Sequence, residues 1–385
     1  MAYRYITSDC SGYAKPVSDE SVRVLTALAS TVRTHCVDLQ HEHGAKFWWA
    51  IDSLDIVPCN IDLTTRSTRQ LSAYDLDKCF ESIPLLDGEH SLMKHVEFFV
   101  DLAFRHGDGE YLSAQLRYDG VPARECYWTD SPDQYRQVQY SASDVINLVK
   151  TMIQMTYITV GLTAALQHLG IPMGYSASVI LLNIYAFKPE YLFTWRLVRM
   201  QPELAHNTLE LYRYVDDLGN FSDLDLRPYL DPGQQPSEQN PFWIYPLTPL
   251  GPLSMSDQTD RQTLHTEVIY LNMRFVLTGG VLTYEWYQKH TTYKFRTCRL
   301  THWDSYVAHK CKCALVTTMA RIAILAASNQ QILAANLKSM LQAFRRLEYP
   351  DTVLKERLSQ AMDKLLSRLP PQLLRRLQPE IGVQS

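Results

Sequence analysis

The chain has 385 residues, of which 46% are apolar, 20% charged and 11% aromatic, and its net charge is −4. That composition is globular and long enough for two or three domains with packed cores, which excludes a disordered chain or a disulfide-stapled miniprotein. No run of 18 apolar residues occurs, so no membrane-spanning helix is expected.

The opening stretch MAYRYITSDCSGYAKP has neither an apolar signal core nor the character of a transit peptide, so the chain is expected to stay in the compartment where it is made. Inside a cell that means the cytosol, nucleus or mitochondrion. The 8 cysteines are scattered without CxxC pairs, and disulfides are not expected. His309, Cys311 and Cys313 crowd together as HKCKC, which reads as a thiol-containing strand or turn beside a basic surface rather than a zinc site. The charge is unevenly placed. Residues 290–377 hold 15 Lys and Arg against 5 Asp and Glu, a net of +10, whereas residues 1–289 carry −13. A basic module after an acidic one points to an anionic partner for the C-terminal part.

Taken in order, Ser21–Leu39 has helical periodicity, and KFWWAIDSLDIV reads as an aromatic strand-like run. LSAYDLDKCFESIP reads as a short strand ending in a turn at Pro84, and residues 88–106 as a helix. Residues 107–140 alternate short strands and turns. Ser141 or Ser143 is expected to cap one long helix running to about Leu169, which Gly170–Gly174 breaks before a second apolar helix to about Phe193. TLELYRYVDDLGNF reads as two strands folded over an Asp-Asp turn, and residues 222–262 as a long exposed insertion. VIYLNMRFVLTGGVLTYEWYQKH reads as a hairpin with Gly279-Gly280 in a type I′ or II′ turn. Helices follow from about Ala314.

Two acidic sites stand out: Asp75 at the end of a strand, and Asp216-Asp217 at the tip of a hairpin. Adjacent carboxylates repel unless a cation neutralises them, and hard oxygen donors suit Mg²⁺. Phosphoryl-transfer enzymes use two such ions about 4 Å apart. An Asp pair alone is more often a surface turn or cap; here its apolar framing singles it out.

With these motifs in view, the chain resembles the reverse transcriptase family, on its Penelope-like and telomerase-like branch. YVDD resembles the family signature. DLDKCFESIP is similar to the first palm motif, an aspartate followed five residues later by an aromatic. QHLGIPMGYSASVILLNIY resembles the middle motif, and VIYLNMRF through YKF is similar to a later strand, turn and basic sequence. The four occur in order across residues 45–350. Compact stand-alone members, including a green-algal mitochondrial kind, are the nearest resemblance, and retroelement ancestry follows from it.

The resemblance implies an α+β fold, a right-hand polymerase with reduced fingers, an antiparallel-sheet palm and a helical thumb. The fingers would occupy residues 1–70 and an insertion at 90–165. The palm would span 71–290 with the exposed loop 222–262, and a basic thumb 291–385. It implies an RNA-directed DNA polymerase using Mg²⁺ or Mn²⁺, a template with primer, and deoxynucleoside triphosphates. Asp75, Asp216 and Asp217 would be catalytic metal ligands, joined by the carbonyl of Leu76. Phe80 would be either the steric gate that excludes ribonucleotides or plain palm core. Gln167, Gly170, Pro172 and Gly174 would shape the nucleotide pocket or simply break a helix, and Lys289 would face the pyrophosphate or lie on the surface. Arg345, Arg346, Lys355, Arg357, Lys364 and Arg368 would hold nucleic acid.

The sequence departs from the family at Asn272, where an aspartate is usual, and at Tyr175, Ser176 and Ala177. Lys46 and Arg66 are the candidates for the fingers cation that meets the triphosphate. A catalytically retired, RNA-binding descendant is the alternative reading, and a ribonucleotide polymerase a third that Phe80 opposes.

Overall fold

The computed structural model describes residues 14–53, 56–61, 70–116, 122–130, 137–160, 163–172, 174–230, 244–245, 247–248, 251–252, 255–257, 266–288 and 300–366. In chain order it begins with α1 (Lys15–His43), α2 (Ile56–Asn60), β1 (Ser72–Leu76), α3 (Cys79–Ser82) and α4 (Leu92–His106). Then come β2 (Tyr111–Leu116), β3 (Pro122–Thr129), β4 (Gln137–Tyr140), α5 (Ala142–Gln154), β5 (Tyr157–Val160) and β6 (Thr163–Leu166). A long helix, α6 (Ser178–Met200), leads through α7 (Pro202–Ala205) to β7 (Leu211–Tyr214), β8 (Asp217–Asn220) and α8 (Arg227–Leu230). Short strands β9 (Leu247–Thr248), β10 (Gly251–Pro252) and β11 (Met255–Asp257) precede the meander β12 (Glu267–Tyr270), β13 (Met273–Thr278) and β14 (Val281–Trp286). Three helices close the described chain: α9 (His309–Leu325), α10 (Gln330–Arg345) and α11 (Asp351–Leu366). No helix of the described residues is long and apolar enough to cross a membrane.

Two compact units divide the chain. The first comprises residues 1–50, 75–218 and 224–256, and the second residues 51–74, 219–223 and 257–385.

In the first unit, α1, α4, α5 and α6 pack on one another. Helix α1 buries Val24, Leu25, Leu28, Val32, Cys36 and Leu39, a stripe at three- and four-residue spacing. Ser141 caps α5 in a capping box with Asp144, as its position ahead of the apolar run predicts. That helix ends at Gln154, however, and the expected continuation to Leu169 is instead the hairpin β5–β6. The reason lies in Thr156, Tyr157, Ile158, Thr159 and Val160: β-branched and aromatic side chains lose rotamers in a helix and fit a pleated strand. The KFWWAIDS run is not a strand either. It meets β7 through a bridge from Ala50 to Arg213, while Trp49 is fully buried.

Helix α6 carries Pro189 in its interior, which deprives the carbonyl of Tyr185 of its usual helical donor. His95 on α4 supplies the replacement: its Nδ1 lies 2.6 Å from that carbonyl, and its ring stacks on Tyr185 with centroids 4.3 Å apart. Nδ1 must carry the proton in this bond, and burial brings the His95 pKa down to about 3, which keeps the ring neutral at pH 7. A histidine whose folded pKa lies below its unfolded value stabilises the fold fully above pH 6.5 and loses that contribution as pH falls toward the folded value. His95→Phe should therefore cost about 1–3 kcal/mol at pH 7.5 by orphaning the carbonyl. Its deficit should shrink by about 1.4 kcal/mol per unit between pH 6 and 4. Denaturant titrations across that range check this, and parallel pH curves for the two proteins would contradict it.

In the second unit, β12, β13 and β14 form an antiparallel meander. Gly279 and Gly280 both have positive φ, 58° and 81°, as a type I′ turn demands. Helices α10 and α11 pack on α9 around Val316, Ala320, Met340, Phe344 and Leu354. The buried Asn336 amide donates to the carbonyls of Ala323 and Ala326 at 3.0 and 2.9 Å, satisfying the C-terminal end of α9. The HKCKC segment is the first turn of α9 rather than a strand or loop. Lys312 is buried there, with its ammonium donating to the carbonyls of Trp303 and Ser305.

Candidate active site

The carboxylates sit on adjoining strands of the first unit. A four-stranded sheet has the order β11-β1-β8-β7, so the strand ending at Asp75–Leu76 lies beside the strand that Asp217 opens. The Leu76 amide donates to the Asp216 carbonyl at 3.0 Å, which brings the ends of β1 and β8 together. The buried Cys79 thiol registers the same grouping. Its pKa is pushed up by burial first and then by the Asp216 and Asp75 charges, with Arg213 pulling the other way. All three aspartates are partly exposed, whereas Leu76 is buried.

Both turns that carry the carboxylates are strained. Lys78, just after β1, has φ 51°, and Val215, just before the Asp pair, has φ 59°. Left-handed backbone is unusual for a non-glycine residue and a true outlier for a β-branched one, at a cost of about 1–3 kcal/mol. Lys78 is held there by its own carbonyl, which accepts the amides of Glu81 and Ser82 at 2.9 and 3.1 Å.

Val215 is held from below. Arg213 on β7 is fully buried and pairs with the buried Glu190 of α6. One Arg213 terminal nitrogen donates to the Asn183 side-chain oxygen and to the Val215 carbonyl, each at 2.8 Å. The Tyr245 hydroxyl donates to Glu190 at 2.7 Å. Burial pushes the Glu190 carboxyl up, and the guanidinium and Tyr245 work against it.

The Lys46 side chain is engaged by the protein itself. Its ammonium donates to the Leu211 carbonyl at 2.7 Å and lies 3.7 Å over the Tyr212 ring, and burial lowers its pKa to about 7 against the pull of Glu190 and Glu210. It is a brace under β7. Arg66 and Lys289 lie outside the described residues.

The middle motif folds onto the first. After β6, the Ile171 and Gly170 amides donate to the carbonyls of Phe80 and Ile83 at 2.6 and 2.8 Å. The Gln167 amide donates to the carbonyls of Leu169 and Gly170 at 3.0 and 2.6 Å, fixing the loop. The Pro172 carbonyl accepts the Ser178 hydroxyl and the Tyr175 amide just ahead of α6. The Phe80 ring is half-buried and is not part of the core. The altered run Tyr175–Ala177 has a structural partner: Ser176 contacts Ser18 and Asp19 of α1 at 2.9 and 2.8 Å.

Gly170 is required by space and by backbone. Its φ is 86°, and a Cβ there would lie 2.6 Å from the Phe80 carbonyl oxygen and 3.0 Å from that of Glu81. Gly170→Ala should lower unfolding stability by about 2–4 kcal/mol, since backbone on both sides must move. Thermal or denaturant unfolding measures it; a loss below about 0.5 kcal/mol would contradict the packing of this loop.

In the second unit, Arg345 is exposed and paired with Asp351 at 2.8 Å, and Arg357 bonds Gln360 at 2.9 Å. Arg346, Lys355 and Lys364 are exposed. Arg357 and Lys364 lie seven residues apart on one face of α11, and Lys355 projects from another. Arg368 lies outside the described residues.

The donor set fits a hard divalent cation: Asp75, Asp216 and Asp217 offer only oxygen, as Mg²⁺ prefers. Their carboxylates are not gathered within 4.8 Å as a set of three. Among the described residues the group that meets that test is His302, Asp304 and Glu348, all exposed, in the second unit. Cys313 lies 3.6 Å from His309, with no third ligand beside them among the described residues.

The residues that sequence reasoning passed over are Arg213, Glu190, Asn183 and Tyr245. A signal was present. Arg213 interrupts an apolar strand, and Asn183 and Glu190 stand seven apart on one face of an apolar helix.

No family model matches the sequence, and no curated protein does. Among solved structures, the chain is similar to telomerase from Candida albicans in complex with a TWJ fragment of telomeric RNA. The TM-score is 0.52 at 11% identity, covering 92% of this chain and 51% of that one. An apo telomerase from Candida tropicalis superposes at 0.43 with 10% identity, over 95% of this chain and 55% of that one, and adds nothing to the first. At this identity the likeness is one of fold. The chain has an α+β fold similar to that of the telomerase chain it matches, and spans about half of that chain's length.

Proposed function

We propose that the chain is an RNA-directed DNA polymerase of the Penelope-like and telomerase-like branch. The observation that carries this reading is the meeting of Asp75 with Asp216-Asp217 at the ends of adjoining strands in a reverse-transcriptase-like fold. Asp75 and Asp216 would hold two Mg²⁺ or Mn²⁺ ions, with Asp217 nearby and the Leu76 carbonyl completing one shell. Bound ions supply activation of the primer 3′-hydroxyl and charge neutralisation at the triphosphate.

The chain's own residues orient the substrates. Gln167, Gly170, Pro172 and Gly174 shape the nucleotide pocket behind Phe80, whose half-buried ring occupies the space that a 2′-hydroxyl needs. Arg345, Arg346, Lys355, Arg357, Lys364 and Arg368 would hold template–primer phosphates, and Lys289 would neutralise the leaving pyrophosphate.

Purified protein should extend a primed RNA template with deoxynucleotides in Mg²⁺ or Mn²⁺ and reject ribonucleotides. Phe80→Ala should admit ribonucleotides, narrowing the preference by about 10- to 100-fold in kcat/KM, because it removes a clash rather than a contact. Unchanged sugar selectivity in an active variant would return Phe80 to a packing role.

One observation favours a second reading, a retired RNA-binding protein. Lys46, a candidate fingers cation, has its ammonium engaged by the Leu211 carbonyl and the Tyr212 ring.

A further inference from the structure

We infer that Arg213 is a positioning residue for the Asp216-Asp217 carboxylates, acting through the Val215 carbonyl. The inference rests on the metal-binding role proposed for those aspartates.

Arg213 has five N–H groups, and each has an acceptor. Nε and one terminal nitrogen face the two Glu190 oxygens, the same terminal nitrogen reaches the Asn183 carbonyl at 3.4 Å, and the other serves Asn183 Oδ1 and Val215 O. Four of these bonds anchor the guanidinium to α6. The fifth is its connection to the turn.

Stability alone does not account for this arrangement. A well-packed apolar pair generally serves a buried site as well as an ion pair, or better, because desolvating two charges offsets most of their attraction. What the ion pair adds is direction. The planar guanidinium, fixed by Glu190 and Asn183, presents one N–H at a set place and angle. The acceptor there is the carbonyl of a β-branched residue in left-handed backbone, immediately before Asp216. Rotating Val215 out of that conformation would break the bond and turn the Asp pair away from Asp75. Arg213 thus acts on the carboxylates as outer groups act on metal ligands elsewhere, by holding their backbone.

The test uses the full-length protein and Mn²⁺ alone, read by electron paramagnetic resonance, alongside primer extension. Arg213→Lys keeps a cation for Glu190 but has no second arm for Val215. It should weaken Mn²⁺ binding at the Asp216-dependent site by about 10- to 100-fold. Extension kcat should fall comparably, with KM for template–primer within about twofold. Asn183→Ala, which frees the guanidinium to swing, should move Mn²⁺ affinity in the same direction by about threefold, and it serves if the lysine variant fails to fold. Val149→Ala, a core change on α5, should lower stability and leave Mn²⁺ affinity unaltered.

A folded Arg213→Lys with wild-type Mn²⁺ affinity overturns the inference and leaves the polymerase reading intact if the wild type extends primers. If the wild type extends nothing yet Arg213→Lys weakens Asp216-dependent Mn²⁺ binding, the polymerase reading fails and the inference stands. Absence of Asp216-dependent Mn²⁺ binding in the wild type overturns it too.

Discussion

Arg213→Met should destabilise the protein by about 3–5 kcal/mol, because it removes the guanidinium paired with the buried Glu190 and leaves only the weaker influence of Lys46. The loss has two further parts: the Asn183 and Val215 oxygens each lose a donor at 2.8 Å, and the strained Val215 turn loses its brace. Combining it with Glu190→Leu should recover much of the deficit, since the pair is then apolar on both sides, although Tyr245 loses its acceptor. Denaturant unfolding of the three variants decides the matter. Additive losses, with the double variant worse than either single, would mean that the two charges are not the coupled unit described here.

Asp216→Asn should keep the fold and lose at least about 10³-fold in extension rate, because the amide preserves shape and removes charge from the metal-facing turn. The same change should raise stability slightly without metal, since it relieves repulsion from Asp217 and Asp75. That pairing of lost rate with gained stability separates a functional carboxylate from a structural one. If the variant extends primers at the wild-type rate, Asp216 is a surface turn residue.

The parts of this fold legible in the sequence are those where local chemistry and tertiary packing agree. The periodic stripe of α1, the Ser141 cap and the Gly279-Gly280 turn each announce their structure locally. The Asp-Asp turn between β7 and β8 is equally plain, because two polar residues interrupt a run of strand formers. The β5–β6 segment reads as helix in the sequence because its apolar spacing suits either form, and only the β-branched run argues otherwise. Lys46 was misread for another reason. A lysine's position in sequence says nothing of whether its ammonium reaches solvent, and here a backbone carbonyl and a ring enclose it.

The network beneath the carboxylates was the least legible part, although it holds the site. Its members come from α6, β7 and residue 245, brought together by the fold. No short-range pattern links an arginine to a glutamate 23 residues earlier. The charge inside the apolar strand at Arg213 was the available clue, since an unpaired charge cannot be buried cheaply.

The central claim is polymerisation at Asp75, Asp216 and Asp217. Its most direct test is single-nucleotide resolution primer extension on a primed homopolymer RNA, with the full chain, deoxynucleotides, and Mg²⁺ or Mn²⁺. Template-dependent extension by the wild type, with none above background for Asp216→Asn, is the expected result. A folded wild-type protein that binds the primed template and adds no nucleotide with either metal would contradict it.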